Sequence, residues 1–420
     1  AEGPFLIAAY MSLTGVDGFF WFSASSYKID SDPYFPWFDV GPNGNQKAMI
    51  RWSASIPGQL SLFPANALSF RKGYISQGAP VVHEERELES LWTREVPLIT
   101  EEAGFDPNRD SWDNTTGTTE TVVAPIAFLA GPVEVKYDGN PEKSSISGDL
   151  NNLLDFPNKT VTSNTGQLKW NYEKGFCTMN APSAQGVVGF MESGYTVNLE
   201  DVTITSFNEY AAVSIVSMDD NPLKQSEQIL VQVGTIYQPT NWRETPVKVT
   251  IDDVEKDGFK ITNTGKMPWR AENTKISLSL KNMLITSAYA LDQNGYIKKE
   301  IFVERYADHV KIWLPANTMY MVLNTNDPTV ITGMEEETLN SVKLYPNPTK
   351  GTVVLEIPEY MKSINLLQVY DNSGRMVYSE KNLKPGQKQI TLPKLSNGIY
   401  HIVFDSPKNK KTNLRLLIEN

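Results

Sequence analysis

Cysteine is almost missing from this chain of 420 residues: Cys177 stands alone, so no intramolecular disulfide framework braces the fold. That shortage does not assign a cytosol, because many exported proteins have no disulfides. Long apolar runs are missing too. No stretch reaches eighteen residues, so nothing reads as a transmembrane segment. Histidine is scarce. His83, His309 and His401 lie far apart and give no metal-ligand spacing, so neither a metal nor a cofactor is expected. The chain opens without an initiator Met and without the basic stretch and apolar run of a secretory signal. A net charge of -11 argues against nucleic acid as a partner.

What is present suits a folded, multidomain protein. Apolar residues make up 40% and charged residues 21%, and the length predicts two to four domains. The charge is uneven. Residues 343–420 carry 12 Lys and Arg against 6 Asp and Glu, a balance of +6 that leaves -17 on the rest of a chain of net charge -11. Such a sign change marks separate units. The basic residues of the tail are scattered and do not form a nucleic-acid patch.

At the start, EGPFLIAAYMSLTG predicts a helix, with Pro4 in its first turn, Phe5, Ala8, Ala9 and Leu13 at helical spacing, and Gly15 at its end. The apolar run GFFWFS at 18–23 then reads as a strand buried on both faces. A second helix is expected over 57–71, with Leu60, Phe63, Ala67 and Phe70 on one side. One buried strand cannot make a sheet, so this pattern reads as the C-terminal part of a longer α/β unit. The alternative is a small α/β cap lying on the β-domain that follows. Between these elements, 23–52 sets Tyr27, Tyr34, Phe35, Trp37, Phe38 and Trp52 among Asp, Gly and Pro. Flat aromatic faces beside hydrogen-bonding groups suit sugar rings, although the same residues would serve as a satellite core.

Residues 96–121 show no period and read as a polar loop or linker. The acids Glu101, Glu102, Asp106 and Asp110 do not fit a calcium loop. From 122 to 335 the period becomes two, in segments such as YTVNLEDVTITS and QILVQVGTIY, and predicts an antiparallel β-sandwich, with or without a second small sheet. Nothing here is laid out for catalysis. His83-Glu84-Glu85 is a polar stretch, Cys177 reads as a buried thiol, and Asn114 and Asn158 begin glycosylation sequons.

The opening AEGPFLIAAYMSLTGVDGFFWFS, with FRKGYISQGAPVVHEER at 70–86, resembles the end of the (β/α)8 catalytic domain of bacterial glycoside hydrolases of the retaining two-glutamate clan. The resemblance implies that 1–95 is the C-terminal end of a barrel and 18–23 its eighth strand. It implies that Trp21 floors a sugar subsite, with Trp37 or Trp52 on the wall. It places the catalytic glutamates upstream of Ala1, and Glu2 is the one weak candidate within the chain. Retaining chemistry needs two carboxyl groups, so this chain by itself is expected to be inactive. The expected role is the C-terminal portion of a secreted or cell-surface glycoside hydrolase acting on a carbohydrate substrate. The alternative is a non-catalytic surface protein that binds glycans or serves a structural role.

The tail carries a more specific pattern. VKLYPNPTKGTVVLEI, LLQVYDNSGRMVYSEK and ITLPKLSNGIYHIVFDS include Tyr-Pro-Asn-Pro at 345–348, Asp-x-x-Gly at 371–374 and Asn-Gly-x-Tyr at 397–400. Residues 341–420 resemble the C-terminal sorting domain of the type 9 secretion system of the Bacteroidota. That implies a small Ig-like β-sandwich, passage through the periplasm and outer membrane, and an outer-membrane translocon and shuttle protein as partners. Read from the residues, Pro346 and Pro348 predict a stiff extended entry, and 372–374 and Gly398 predict turns. The last strand, near 411–418, is a plausible edge for a partner's sheet. The tail contains no tryptophan, which argues against a sugar-binding appendage.

Overall fold

The computed structural model describes residues 2–21, 34–35, 48–49, 57–109, 117–251, 253–325, 342–357, 364–405 and 411–419. The chain divides into two compact units, Ala1–Ile331 and Thr332–Asn420.

The first unit is built on a ten-stranded antiparallel sheet. In spatial order its central strands are Tyr320–Asn324, Gln228–Thr235, Tyr210–Ser217, Ala184–Phe190 and Phe176–Ala181. A five-stranded sheet faces it, ordered Tyr195–Asn198, Val202–Ser206, Ile276–Leu280, Val310–Trp313 and Val303–Arg305. Alternate residues of both meet in one core: Val213, Ile215, Val231 and Val233 from the large sheet, and Ile204, Ile276, Leu278 and Ile312 from the small one. This is a β-sandwich, and its strands use the period of two.

Tyr210–Ser217 is buried at all eight positions. The reason is a third layer. The helices Glu2–Thr14 and Phe63–Lys72 lie on the outer face of the large sheet. Phe5, Ala9, Leu13, Leu62 and Ala65 pack there on Ala184, Val188, Ala212 and Val216. Small residues on the sheet let the helices approach: a Cβ on Gly186 would sit 2.2 Å from the Val213 carbonyl oxygen and 3.0 Å from Phe5 Cε2. Burial on this layer also holds the Cys177 thiol up at about 12, an inert thiol.

Three expectations change here. The described part of the run 18–23 is coil through Trp21, and Phe20 is 94% exposed, so no eighth barrel strand forms there. No remnant of a (β/α)8 barrel is evident among the described residues; the helices serve the sandwich as an outer layer. The expected second helix is broken into Pro57–Leu60 and Phe63–Lys72. Pro64 cannot donate within a continuous helix but is tolerated in the first turn of a new one. The buried face of Phe63–Lys72 is Ala65, Asn66 and Ser69 rather than Phe63, Ala67 and Phe70. Here the sheet presents two polar side chains, Gln232 and Ser214. Leu62 provides no side-chain cap, so the orphan Ala65 N–H donates to Gln232 Oε1 at 2.7 Å. Asn66 Nδ2 donates to Leu62 O at 2.8 Å and to Ser214 Oγ at 3.1 Å.

A smaller core around Val81, Val82, Ile99, Ala127 and Leu150 supports a three-stranded sheet. In it Val82–Arg86 pairs parallel with Val133–Tyr137 and antiparallel with Ser145–Ile146. A long hairpin, Tyr237–Ile251 with Val254–Ala271, forms a two-stranded sheet of its own.

The second unit is a small antiparallel sandwich. Three strands, Lys343–Tyr345, Thr352–Ile357 and Gly386–Thr391, face four, Met376–Leu383, Ile364–Asp371, Gly398–Asp405 and Lys411–Ile418. They enclose a core that includes Val353, Leu355, Leu367, Val369, Ile402, Phe404 and Leu416.

Candidate functional site

Of the residues singled out in the sequence, Glu2 sits in the first turn of its helix, where a carboxylate complements the helix dipole. It accepts a hydrogen bond from Tyr210 Oη at 2.5 Å. Burial, and then the Glu2 carboxylate itself, push the Tyr210 phenol well up. Glu2 thus ties the helix to the sheet. Trp21 packs edge-to-face on Phe63, with ring centroids 5.3 Å apart, and on Phe19 at 5.7 Å. It borders a groove of 170 Å³ whose lining is apolar apart from Asn66. Trp37 and Trp52 lie outside the described residues, as does Asn114.

The fold brings together polar groups that no local motif signals. Parallel pairing sets Glu134 opposite His83, and His83 Nδ1 lies 3.0 Å from Glu134 Oε2. That hydrogen bond, foremost, raises the imidazole above its ordinary value. Lys136 reaches Glu85 at 3.1 Å. Among the described residues no group of three His, Cys, Asp or Glu is arranged to hold a metal. These contacts link Val82–Arg86 to Val133–Tyr137 side by side.

A concavity of mixed chemistry, 760 Å³ in volume, lies at one end of the sandwich. Its walls are strand ends. Phe176 opens one strand, Phe190 closes the next, Tyr195 begins a third and Phe207 follows a fourth. Backbone bonds knit the turns: Met191 N–H donates to Glu209 O at 2.7 Å and Phe207 N–H to Lys275 O at 2.9 Å. Gly189, at φ 140°, lies so close to the neighbouring turn that a Cβ would meet Gly175 O at 2.1 Å. The aromatics brace one another, with Phe190 on Tyr210 at 5.2 Å and Phe176 on Tyr195 at 5.7 Å. Phe207 stacks with Trp313 at 6.3 Å, and Lys311 Nζ lies 5.1 Å over the Trp313 ring. Yet Phe190 remains 59%, Phe207 43% and Tyr195 40% exposed. Around them stand Lys174, Glu192, Ser193, Glu209 and Glu272. The arrangement offers flat apolar faces ringed by hydrogen-bonding groups. Reading by sequence passed these residues over; the signal was two aromatics flanking the turn Glu192-Ser193-Gly194.

In the second unit the tail motifs acquire definite roles. Residues 346–348 bend rather than run on as an extended entry. The bend lays Asn347 against the last strand: its Nδ2 donates to Arg415 O, and its Oδ1 accepts from Leu417 N–H, each at 2.8 Å. Thr349 N–H donates to Leu417 O, and Glu419 N–H to Thr349 O, each at 2.9 Å. The edge of Lys411–Ile418 that looked available to a partner is therefore occupied from Arg415 to Glu419 by the chain's own motif, the usual protection of an edge strand. Asp371 organises its turn, accepting from Ser373 Oγ at 2.6 Å and from Ser373 N–H and Arg375 N–H at 3.0 Å. Gly374 closes it at φ 80°.

Comparison with known proteins agrees with this second unit. Residues 343–419 match the family described as the secretion system C-terminal sorting domain. No curated protein matches the chain. Among solved structures, a polysaccharide lyase aligns at 10% identity over 62% of this chain and 36% of its own, with a TM-score of 0.16. SGBP-B of the Bacteroides ovatus mixed-linkage glucan utilization locus, in complex with a mixed-linkage heptasaccharide, aligns at 12% identity over 54% and 64%, TM-score 0.15. The adhesin domain of Epf from Streptococcus pyogenes aligns at 8% identity over 58% and 90%, TM-score 0.16. The chain thus spans about a third of the first and under two thirds of the second, and at these scores the likenesses carry no argument. No described helix is long and apolar enough to cross a membrane. With its C-terminal sorting domain the chain is exported, to the cell surface or into the medium.

Proposed function

We propose that the first unit is a glycan-binding module, delivered outside the cell by the sorting domain, that takes poly- or oligosaccharide in the concavity between Phe176 and Glu272. The observation that carries this reading is the exposure of Phe190, Tyr195 and Phe207 on one concave surface among carboxylates, a lysine and a serine. Aromatic side chains left in solvent give up burial that a core would have provided, and a ligand with flat C–H faces and many hydroxyls restores it. A retaining glycosidase needs two carboxyl groups about 5–5.5 Å apart. Glu2, the carboxylate considered from the sequence, is engaged by Tyr210 between helix and sheet. Membership of a larger glycoside hydrolase rests on the resemblance of 1–90 alone, and a sugar contact by Trp21, Trp37 or Trp52 belongs to that reading.

The test is titration of the full chain with a panel of oligosaccharides, followed by Phe190→Ala and Tyr195→Ala. Loss of one stacking face should weaken binding about tenfold, or about 1.4 kcal/mol. Binding unchanged in both variants, or glycosidase turnover by the purified chain, would refute the proposal.

A further inference from the structure

Where the long hairpin Tyr237–Ile251/Val254–Ala271 leaves the sandwich there is a second cleft, of 450 Å³. Its lining includes Trp269, Asn273, Gln293, Asn317, Thr318 and Tyr320. Three features set its chemistry. The first is an unmatched donor: Trp269 Nε1 is buried and has no hydrogen-bond partner among the described residues. The Trp269 ring is held by Tyr237, edge-to-face at 5.8 Å, so it stands ready as a fixed wall. A buried indole N–H is normally matched by an acceptor. The second is the abundance of neutral amide and hydroxyl groups. Asn273, Gln293, Asn317 and Thr318 both donate and accept, and the Tyr320 hydroxyl has only a distant acceptor, Leu60 O at 3.5 Å. The third is the near absence of charge. Glu272 is the one ionisable acid or base of the lining, tyrosine apart, and it is paired with Lys275 at 3.0 Å.

A cleft with an aromatic wall and neutral amides suits an uncharged, polyhydroxylated ring. Glu272 lines this cleft and the aromatic concavity alike. We infer that the Trp269 cleft is a second saccharide subsite, reached across Glu272, and that the ligand is a neutral oligosaccharide long enough to occupy both. This rests on the glycan-binding reading above.

The experiment uses the full chain labelled with ¹⁵N at tryptophan indoles. The Trp269 signal is assigned by its loss in Trp269→Phe. The probes are cellohexaose, xylohexaose and mannohexaose, each beside its disaccharide. The expected result is a hexasaccharide that shifts the Trp269 indole signal, binds at least tenfold more tightly than its disaccharide, and loses about tenfold in Trp269→Phe. Tyr320→Phe, which removes only a hydroxyl, should weaken the same hexasaccharide and serves where Trp269→Phe does not fold. A hexasaccharide that binds, is weakened by Tyr195→Ala, and leaves the Trp269 signal and both variants unchanged would overturn the second subsite while sparing the first. Absence of binding by every probe would overturn both.

Discussion

Replacing Phe5 and, separately, Phe20 by alanine decides between two architectures for the N-terminal residues. If 18–23 were a buried barrel strand, Phe20→Ala would be the costly change. The structure makes the opposite assignment: Phe5 is fully buried between helix and sheet, and Phe20 is 94% exposed. Phe5 occupies a slot floored by Gly186 and walled by Ala184, Val188 and Ala212, and its Cε2 would lie 3.0 Å from a Cβ on Gly186. Neighbours on a sheet cannot collapse into the space it would vacate. Phe5→Ala should therefore cost about 3–5 kcal/mol, the range for deleting a buried phenyl ring. In a unit of 331 residues that corresponds to a fall in Tm of about 4–7 °C. Phe20→Ala should stay within about 0.5 kcal/mol of the parent. Urea denaturation of the full chain, followed by tryptophan fluorescence, reports both. Equal effects, or a larger one at Phe20, would refute the three-layer packing and restore the buried strand.

Four more outcomes are expected. Gly186→Ala places a Cβ 2.2 Å from the Val213 carbonyl oxygen and should destabilise the first unit by about 1–3 kcal/mol in the same assay; a silent substitution would contradict the close approach of these strands. Asn347→Ala should cost the sorting module about 0.5–1.5 kcal/mol and speed hydrogen exchange at the Leu417 amide, which loses its acceptor; unchanged exchange would mean that the edge is held by other means. The Ser373 hydroxyl foremost, with Arg375, holds the Asp371 carboxyl at about 2, below the free value of about 3.9. A depressed folded value adds stability above the unfolded pKa that is lost as pH falls through the folded one. The module should therefore weaken between about pH 4 and pH 2, and a slope unchanged by Asp371→Asn would assign that loss elsewhere. Deletion of 341–420 in the native host should leave the protein in the periplasm on fractionation, whereas undiminished delivery outside would disprove its sorting role.

Some of this molecule follows from sequence alone. The tail could be read because its signals are local: Asp371 and Gly374 shape one turn, Tyr345 to Pro348 lie in one short motif, and the alternating strands restart after an acidic stretch. The first helix could be read because Phe5, Ala9 and Leu13 keep their spacing whatever they pack against. The period of two also announced a sandwich. Tertiary structure decided the rest. An apolar run at 18–21 did not reveal that Trp21 packs on Phe63 while Phe20 faces solvent. The buried face of the second helix is Ala65, Asn66 and Ser69, and its hydrogen bonds to the sheet run from Ala65 N–H to Gln232, 167 residues away, and from Asn66 to Ser214, 148 residues away. Asn347 was visible as part of a motif, but its partner strand begins only at Lys411. Both clefts are assembled from strand ends remote in the chain, Phe176 with Phe207 and Trp269 with Tyr320. A ligand surface of that kind exists only after the sheets have paired, since no local spacing sets which strand ends will be neighbours.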